Sequence, residues 1–278
     1  MTAGLAKLFT DAPRIEKLSQ FEEVVREHAD RWWKQNRHQM PKFWFRGHVG
    51  AKWKLCPPAL REERRPASLD SHFFVEFKRR AVGLLDRLPS NDWSWLYLAQ
   101  HHGFPTRLLD WTESSHVALF FALCTSHDTD LREDACVWVL NPGELNERKW
   151  GFSNVVTMGD HHMTDPLIQP YRSGKEIQHY EGGAPHLIAV IPDYVTPRLR
   201  GQRGAFVAFA NDPNALEKEA AVEAGGKPPM CMPIILDKDH LWDLERELIM
   251  AGAGHSVAFP DITGLCQELA RRRDLRMY

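Results

Sequence analysis

Three aromatic residues run directly into an arginine and a glycine at Phe43-Trp44-Phe45-Arg46-Gly47-His48. Aromatic residues favour a half-buried strand, and an arginine in such a strand needs an anion or another acceptor beside it. A neighbouring glycine lets another backbone or a ligand approach closely. The run therefore predicts a strand over residues 43–46 that places Arg46 at a candidate binding site.

A second cluster begins about sixty residues after the first, with the sequence Leu98-Ala-Gln-His-His-Gly-Phe-Pro-Thr-Arg-Leu-Leu-Asp-Trp-Thr112. It predicts a short helix over residues 93–102 that ends at Gly103, because glycine commonly follows a helix. Residues 105–112 are expected to form a loop or short strand, and residues 113–126 an apolar helix with Thr112 as its N-cap. Because a helix N-terminus attracts anions, this junction is a second candidate for ligand binding.

The balance of charge excludes a general electrostatic attraction to large polyanions. The chain has 35 basic and 37 acidic residues and a net charge of -2, so a nucleic-acid partner is not indicated. No segment approaches the roughly eighteen apolar residues of a membrane span, and no signal peptide is apparent. The five cysteines contain no CxxC pair, which favours buried thiols in a reducing compartment. We therefore expect a cytoplasmic protein without membrane association.

Helical patterns dominate the first part of the chain, over residues 15–36 and 68–88, and short strands dominate the second. The strands are predicted at residues 135–140, 187–191, 204–210, 230–236 and 256–259, with a further segment at 53–55 pairing with the first strand. Residues 141–178 are expected to be irregular, and Asp261 is expected to cap a terminal helix. This order predicts an α+β fold, a mixed sheet of short strands with an N-terminal helical part.

The two clusters resemble the FRG domain family. Its Phe-Arg-Gly motif matches Phe45-Arg46-Gly47, and its second block matches residues 99–112 in full. Later parts of the family resemble the segments Gln202-Arg-Gly-Ala-Phe206 and Phe259-Pro-Asp-Ile-Thr-Gly-Leu265. The resemblance extends over roughly residues 38 to 265, which implies an N-terminal helical segment at 1–36 and an FRG domain at 37–278.

A weaker resemblance links the chain to arginine-type ADP-ribosyltransferases, whose site also begins with an aromatic-Arg-Gly strand. It implies an ADP-ribosyltransferase-like sheet in which Arg46 binds NAD and residues 106–112 form the second motif. Gln202, predicted on a later strand, stands where that family has a catalytic glutamate. A neutral amide can hydrogen-bond a ribose hydroxyl, but it supplies no negative charge to a cationic transition state.

The residue types leave two roles open at each key position. Arg46 suits a phosphate or carboxylate ligand, or it forms an ion pair with Asp110 that locks the two clusters together. Asp110 is a general base or cation stabiliser, or simply a paired carboxylate, and His101 is a candidate acid or base. The predicted catalytic residues are Arg46, Asp110 and Gln202. The predicted nucleotide-binding residues are Arg46, Gly47, His48, Gln100, His101, Thr106, Arg107, Trp111, Thr112 and Phe206, and no metal site is expected.

Together these observations predict an NAD- or nucleotide-binding protein. The resemblances imply an ADP-ribosyltransferase or NAD glycohydrolase that uses NAD as its substrate, transfers ADP-ribose to water or a macromolecular acceptor, and acts as a toxin or anti-phage effector. The alternative is a non-catalytic module that binds nucleotide, nucleic acid or protein. A hydrolase that uses Asp110 with His101 or His102 is a third reading. Rossmann, P-loop and α/β-hydrolase signatures are absent from the sequence.

Overall fold

A computed structural model describes residues 3–35, 41–61, 67–123, 133–157, 167–168, 171–172, 187–193, 196–222 and 226–277. Its strands are β1 Arg14–Ile15, β2 Trp44–His48, β3 Leu108–Thr112, β4 Ala135–Leu140, β5 Val156–Thr157, β6 Leu187–Ile191, β7 Gly204–Phe209 and β8 Cys231–Leu236. The helices before β6 include α1 Ala3–Thr10, α2 Leu18–Gln35, α3 Ala67–Ala81, α4 Asp92–His101, α5 Ser115–Leu123 and α6 Pro142–Trp150. Those after β6 are α7 Pro197–Gly201, α8 Ala215–Ala220, α9 Leu241–Met250, α10 His255–Ala258 and α11 Ile262–Asp274. The predicted α+β class is confirmed.

The eight strands form one mixed sheet in the order β1-β8-β4-β2-β3-β7-β6-β5. The two outer pairs, β1 with β8 and β5 with β6, are parallel, and the other pairs are antiparallel. β2 pairs with β4 along its whole length, and β3 does the same with β7. Between β2 and β3, however, the register contains one pair, Phe45 with Thr112. The centre of the sheet therefore opens beyond that pair.

Both faces of the sheet are covered by apolar side chains. Every residue of β4, β7 and β8 is buried, which is the pattern of strands enclosed on both sides. One face packs Trp44, Leu109 and Trp138 into a single core. The opposite face divides into two clusters, one around Phe45, Val137 and Ile234 and another around Leu108, Ile188 and Phe206. The division coincides with the opening between β2 and β3.

Gly47 brings the backbone of β2 against helix α5. A methyl group on its Cα would lie 2.0 Å from the carbonyl oxygen of Ala118 and 2.6 Å from the amide nitrogen of Ala122. Such distances are far below van der Waals contact, so only glycine fits here. The close backbone approach that the sequence suggested at this glycine is present, and the neighbour is a helix of the same chain.

Several strand boundaries were predicted closely. Strands 135–140 and 187–191 are confirmed as predicted, and those at 204–210 and 230–236 each differ by one residue at one end. The prediction of irregular structure over 141–178 was wrong where the structure describes the segment, because it includes α6 and β5. The signals for α6 are the N-cap Asn141, Pro142 in the first turn and Gly151 in the left-handed conformation.

Two predicted strands do not form. Residues 53–55 follow a turn at 51–52 and form no strand, and residues 256–259 lie in and just after the helix α10. A run of four apolar or small residues does not distinguish strand from helix by its pattern alone. The expected terminal helix is confirmed, because the Oδ1 atom of Asp261 accepts a 2.8 Å hydrogen bond from the amide of Gly264 at the start of α11.

The N-terminal segment contributes to the sheet as well as to its helical cover. Ile15 was predicted to begin a helix, but it belongs to β1, which pairs with β8. Arg14 holds this edge through a hydrogen-bonded ion pair of 2.7 Å with Asp134 and another of 2.6 Å with Asp237. The segment that was assigned to residues 1–36 thus shares the sheet of the following domain. Across the described parts of the chain, no helix combines the length and apolar character that membrane crossing requires.

Candidate functional site

A cleft of about 940 Å³ lies where β2 and β3 separate. It is lined by residues from both sequence clusters, which confirms that they are brought together in space. Ten of the predicted site residues line it: Arg46, Gly47, His48, Gln100, His101, Asp110, Trp111, Thr112, Gln202 and Phe206. Thr106 and Arg107 are not among the lining residues.

Arg46 bridges the opening between the two strands. Its Nη1 atom donates a 2.6 Å hydrogen bond to the backbone carbonyl of Asp110, and its Nε atom donates one of 3.0 Å to Nε2 of His48. The side chain is only 16% exposed. Burial lowers the pKa of Arg46, and the carboxylate of Asp110 partly offsets that effect. Because arginine stays charged in proteins, the wall of the cleft contains a largely buried cation. The Nη2 group of Arg46 forms no hydrogen bond with any residue that the structure describes.

His48 orients Arg46 and stays neutral while doing so. Burial, reinforced by the positive charges of Arg46 and Arg61, lowers the pKa of His48 to about 2. Its Nε2 atom accepts the hydrogen bond from Arg46, which leaves the ring proton on Nδ1. The ring lies 6.1 Å from that of Trp53. His48 is therefore suited to positioning the guanidinium rather than to transferring protons near neutral pH.

The carboxylate of Asp110 is held in its orientation by Gln100. The Nε2 atom of Gln100 donates a 2.7 Å hydrogen bond to Oδ1 of Asp110 and a 3.3 Å bond to the carbonyl of Leu108. The Oε1 atom of Gln100 accepts a hydrogen bond from the hydroxyl of Thr106. The side chain of Asp110 is 58% exposed. Thr106 thus acts on Asp110 through Gln100, and Asp110 lines the cleft with its Oδ2 atom 3.9 Å from Nη1 of Arg46.

Arg107 points away from the cleft and joins three segments of the chain. It contacts Asp70 of α3 at 3.3 Å, and its Nη1 atom donates to the carbonyl of Ala210 at 2.8 Å and to Oδ1 of Asn211 at 2.9 Å. The side chain is 4% exposed and that of Asp70 is 1% exposed. Although Arg107 was predicted to bind a nucleotide, the structure places it in a buried ion pair behind β3.

Gln202 was predicted on a strand, but it lies at the C-terminal end of α7, just before β7. Its Nε2 atom donates a 3.0 Å hydrogen bond to the carbonyl of Ala258 in α10. Its own carbonyl accepts a 2.6 Å bond from the hydroxyl of Thr112. The Thr112 hydroxyl also accepts from the amide of Ser114 ahead of α5. Gln202 and Thr112 therefore line the cleft while their polar groups are engaged in holding α5, α7 and α10 together.

Several cleft residues were not identified from the sequence. Three of them are cationic: Lys54, Arg61 and Arg198. With Arg46 they make four cationic side chains around one described carboxylate, Asp110. Burial lowers the pKa of Arg198, and that of the neighbouring His101 is lowered by burial and then by Arg198 and His102. Thr196 and Pro197 mark the start of the helix that carries Arg198, where Thr196 caps the amide of Leu199 at 3.1 Å, but this local signal does not show that Arg198 lines the cleft.

Aromatic side chains form the remaining wall of the cleft. Phe206 stacks on Tyr97 with ring centroids 5.1 Å apart and an angle of 14° between the rings. Trp53 is 58% exposed, although it lines the cleft next to His48. Tryptophan usually packs in a hydrophobic core. The exposed indole of Trp53 instead offers a flat surface for a ligand ring.

Comparison with family models places both sequence clusters in one known domain. The FRG domain model matches residues 41–131, a range that includes the Phe45-Arg46-Gly47 strand, the block ending at Thr112 and helix α5. The extension that the sequence predicted toward residue 265 lies beyond this match and stays a prediction. Comparisons with curated proteins and with solved structures gave no match. Residues 41–131, which are 91 of the 278 residues, are therefore similar to the FRG domain.

Proposed function

We propose that the chain binds NAD in the cleft between β2 and β3 and breaks the bond between nicotinamide and ribose. The observation that carries this proposal is the juxtaposition of Arg46 and Asp110 at the point where the sheet opens. Arg46 is a largely buried cation, and Asp110 is a carboxylate whose side chain is 58% exposed. The cleft volume of about 940 Å³ lies at the upper end of the roughly 300–1,000 Å³ that ligand sites occupy.

The charge of the cleft favours an anionic ligand. The whole chain carries a net charge of -2, yet the described lining has four cationic side chains and one carboxylate. A guanidinium binds phosphate through two parallel hydrogen bonds, and a low-dielectric wall strengthens the attraction. The exposed indole of Trp53 supplies a stacking surface for a base. A nucleotide with several phosphate charges satisfies both features.

The chemistry assigned to Asp110 is stabilisation of positive charge. When the bond between C1′ of the ribose and the nicotinamide nitrogen breaks, nicotinamide leaves with the bonding electron pair and the ribose becomes cationic. A carboxylate beside C1′ stabilises that charge, and water or an acceptor hydroxyl then adds its oxygen to C1′ and releases a proton. With water, NAD and H2O yield nicotinamide, ADP-ribose and a proton. In this proposal Asp110 supplies the negative charge that Gln202 lacks.

The biological setting follows from the substrate. An enzyme that consumes NAD acts where NAD is present, which favours a cytoplasmic location, and depletion of NAD would harm a cell. We extend the proposal on this ground to a toxin or anti-phage effector, as the family resemblance implies. A macromolecular acceptor would replace water in the transferase form of the same reaction.

One observation favours a second candidate, a non-catalytic module that binds a nucleotide, a nucleic acid or a protein through the same cleft. The amide of Gln202 is bonded to the carbonyl of Ala258, so the position that holds a glutamate in ADP-ribosyltransferases here helps to hold a helix in place. A module of this kind would bind NAD without turning it over.

The test is release of nicotinamide from NAD, measured by mass spectrometry with the protein alone and with cell lysate. Arg46→Gln, Asp110→Asn and the wild type are compared with Arg200→Gln, which removes an exposed arginine outside the cleft. We expect release by the wild type and by Arg200→Gln and its loss in the other two variants. Folded wild-type protein that releases no nicotinamide under either condition would contradict the proposed reaction and favour the binding module.

A further inference from the structure

A second arginine reaches the cleft from the side opposite Arg46. Asp110 is on β3, which lies between β2 and β7. Arg46 comes from β2, and Arg198 comes from α7 immediately ahead of β7. The charge of Asp110 acts on both guanidinium groups. The two arginines therefore flank the same carboxylate, Arg46 from the strand β2 and Arg198 from the helix that precedes β7.

We infer that Arg198 and Arg46 bind the two phosphates of a diphosphate, so that the cleft selects nucleoside diphosphates and dinucleotides over nucleosides. This inference rests on the proposed nucleotide site and deepens it by naming the chemical group that the site recognises. It also assigns a binding role to Arg198, which lies outside the two sequence clusters and outside the matched domain range of 41–131.

Arg198 has the properties of an arginine that is held ready for an anion. Its guanidinium stacks over the ring of Phe259 at 4.4 Å, and burial lowers its pKa. Among the residues that the structure describes, none forms an ion pair with it within 4 Å, although Asp110 and Asp261 act on it from a greater distance. A partly buried arginine without a close carboxylate loses solvation without full compensation. A bound anion supplies that compensation.

The position of Arg198 is fixed by tight packing of its helix. Thr196 caps α7 and Pro197 occupies its first turn. At the other end of α7, a Cβ atom on Gly201 would lie 2.9 Å from the carbonyl oxygen of Val257 in α10. Helix α7 is thus pressed against α10, and the ring of Phe259 limits the freedom of the guanidinium. An ordered side chain loses less entropy when a ligand binds, so this arrangement favours affinity.

The number of charges distinguishes a diphosphate from smaller ligands. One guanidinium can satisfy one phosphate group through a bidentate contact. Two guanidinium groups on either side of Asp110, with Lys54 and Arg61 also on the lining, match a ligand that carries at least two adjacent negative groups. Adenosine has none, so its affinity is expected to be independent of Arg198.

The experiment measures binding of ADP, inorganic pyrophosphate and adenosine to the folded protein by calorimetry. Losing a charged hydrogen-bonding group is expected to weaken binding of ADP and pyrophosphate about 10- to 100-fold in Arg198→Gln. Arg198→Lys keeps the charge but not the bidentate fork, so we expect a loss of about 3- to 10-fold. Arg200→Gln, an exposed arginine two residues along the same helix, is the matched control and is expected to bind as the wild type does. Thermal melting checks that each variant is folded.

The inference is overturned if folded Arg198→Gln or Arg198→Lys binds ADP and pyrophosphate as tightly as the wild type, or if the wild type binds neither. Its failure is distinguishable from failure of the proposed reaction. Binding of ADP that depends on Arg198, without release of nicotinamide, supports the diphosphate site and contradicts NAD cleavage. Release of nicotinamide that is unaffected by Arg198→Gln, with unchanged ADP binding, supports cleavage and overturns the role of Arg198.

Discussion

The guanidinium of Arg46 donates a 2.6 Å hydrogen bond to the backbone carbonyl of Asp110, whereas the Oδ2 atom of the Asp110 carboxylate lies 3.9 Å from the same Nη1 atom. The arginine thus satisfies a carbonyl of β3 near the point where pairing with β2 ends. The sequence left two roles open for Arg46, a lock between the two clusters and a ligand-binding group. In the structure Arg46 does join the two clusters, mainly through the backbone carbonyl of Asp110. The carboxylate remains available to the cleft.

Replacing Asp110 by asparagine should separate binding from catalysis. Asparagine keeps an oxygen that can accept the hydrogen bond from Gln100, but it supplies no negative charge. We therefore expect nicotinamide release to fall at least about 100-fold, with ADP binding retained or slightly strengthened because a like-charged neighbour has been removed. Single-turnover release of nicotinamide and calorimetric binding of ADP measure the two effects on the same preparation. Unchanged release in Asp110→Asn would exclude a role for this carboxylate in the reaction.

Replacing Gly47 by alanine should destabilise the protein strongly. The added Cβ atom would meet the backbone of α5 at 2.0 Å, and backbone atoms of a packed helix cannot move away as a flexible side chain can. We expect the free energy of unfolding to fall by about 3 kcal/mol or more, measured by urea denaturation. Gly83→Ala is the matched control, because no atom lies within 4 Å of its Cβ position, and we expect a change of less than about 1 kcal/mol there. Equal midpoints for the two variants would contradict the packing argument.

The sequence identified elements with a clear local pattern and missed those decided by distant contacts. The strands at 135–140 and 187–191 are short apolar runs bounded by turn residues, and both were predicted as they occur. The cleft residues around Arg46 and Asp110 were predicted because both clusters contain unusual polar residues among aromatic ones. Arg107 shares that composition, yet it points toward Asp70. The side of β3 on which Arg107 lies depends on Asp70, which is 37 positions away in the chain. The local sequence pattern does not contain that information.

Arg198 is the opposite case, a cleft residue that the local sequence did not reveal. Nothing in Thr196-Pro197-Arg198 distinguishes it from the exposed Arg200 two positions later. Its place in the cleft depends on the packing of α7 against α10 near Gly201. Residues 256–259 were predicted as a strand, so the helix that positions α7 was absent from the predicted fold. An error in one short element therefore concealed a residue of the candidate site.

Stability should fall between pH 6.5 and pH 5.5 because of two buried histidines. Burial, reinforced by Arg31, lowers the pKa of His28 to about 4, and burial with Arg46 and Arg61 lowers that of His48 to about 2. In the unfolded chain both have a pKa near 6.5. Since the folded-state values are depressed, the unfolded state binds more protons as the pH falls below 6.5, and stability declines. Each histidine contributes a slope of up to about 1.4 kcal/mol per pH unit.

The measurement is the free energy of unfolding from urea titrations at several pH values between 7.5 and 5.5, a range above the titration of carboxylates. His28→Gln and His48→Gln each remove one titrating group, and glutamine offers an oxygen that can accept the hydrogen bond that Trp32 or Arg46 donates to the ring. We expect a shallower slope in each variant than in the wild type. Slopes that match the wild type would show that these two groups do not bind protons on unfolding.

Replacing Gln202 by glutamate tests whether this position is equivalent to the catalytic glutamate of ADP-ribosyltransferases. Its Nε2 atom now donates to the carbonyl of Ala258 at 3.0 Å, and a carboxylate would lose that bond and face the carbonyl oxygen. We expect Gln202→Glu to lower the free energy of unfolding by about 1–3 kcal/mol without raising nicotinamide release. Gln202→Ala is the control, because it loses the hydrogen bond without adding a charge and should be less destabilising. Increased nicotinamide release by Gln202→Glu would contradict this expectation. It would show that a carboxylate at residue 202 can act on the substrate, so that Asp110 is not the sole source of negative charge.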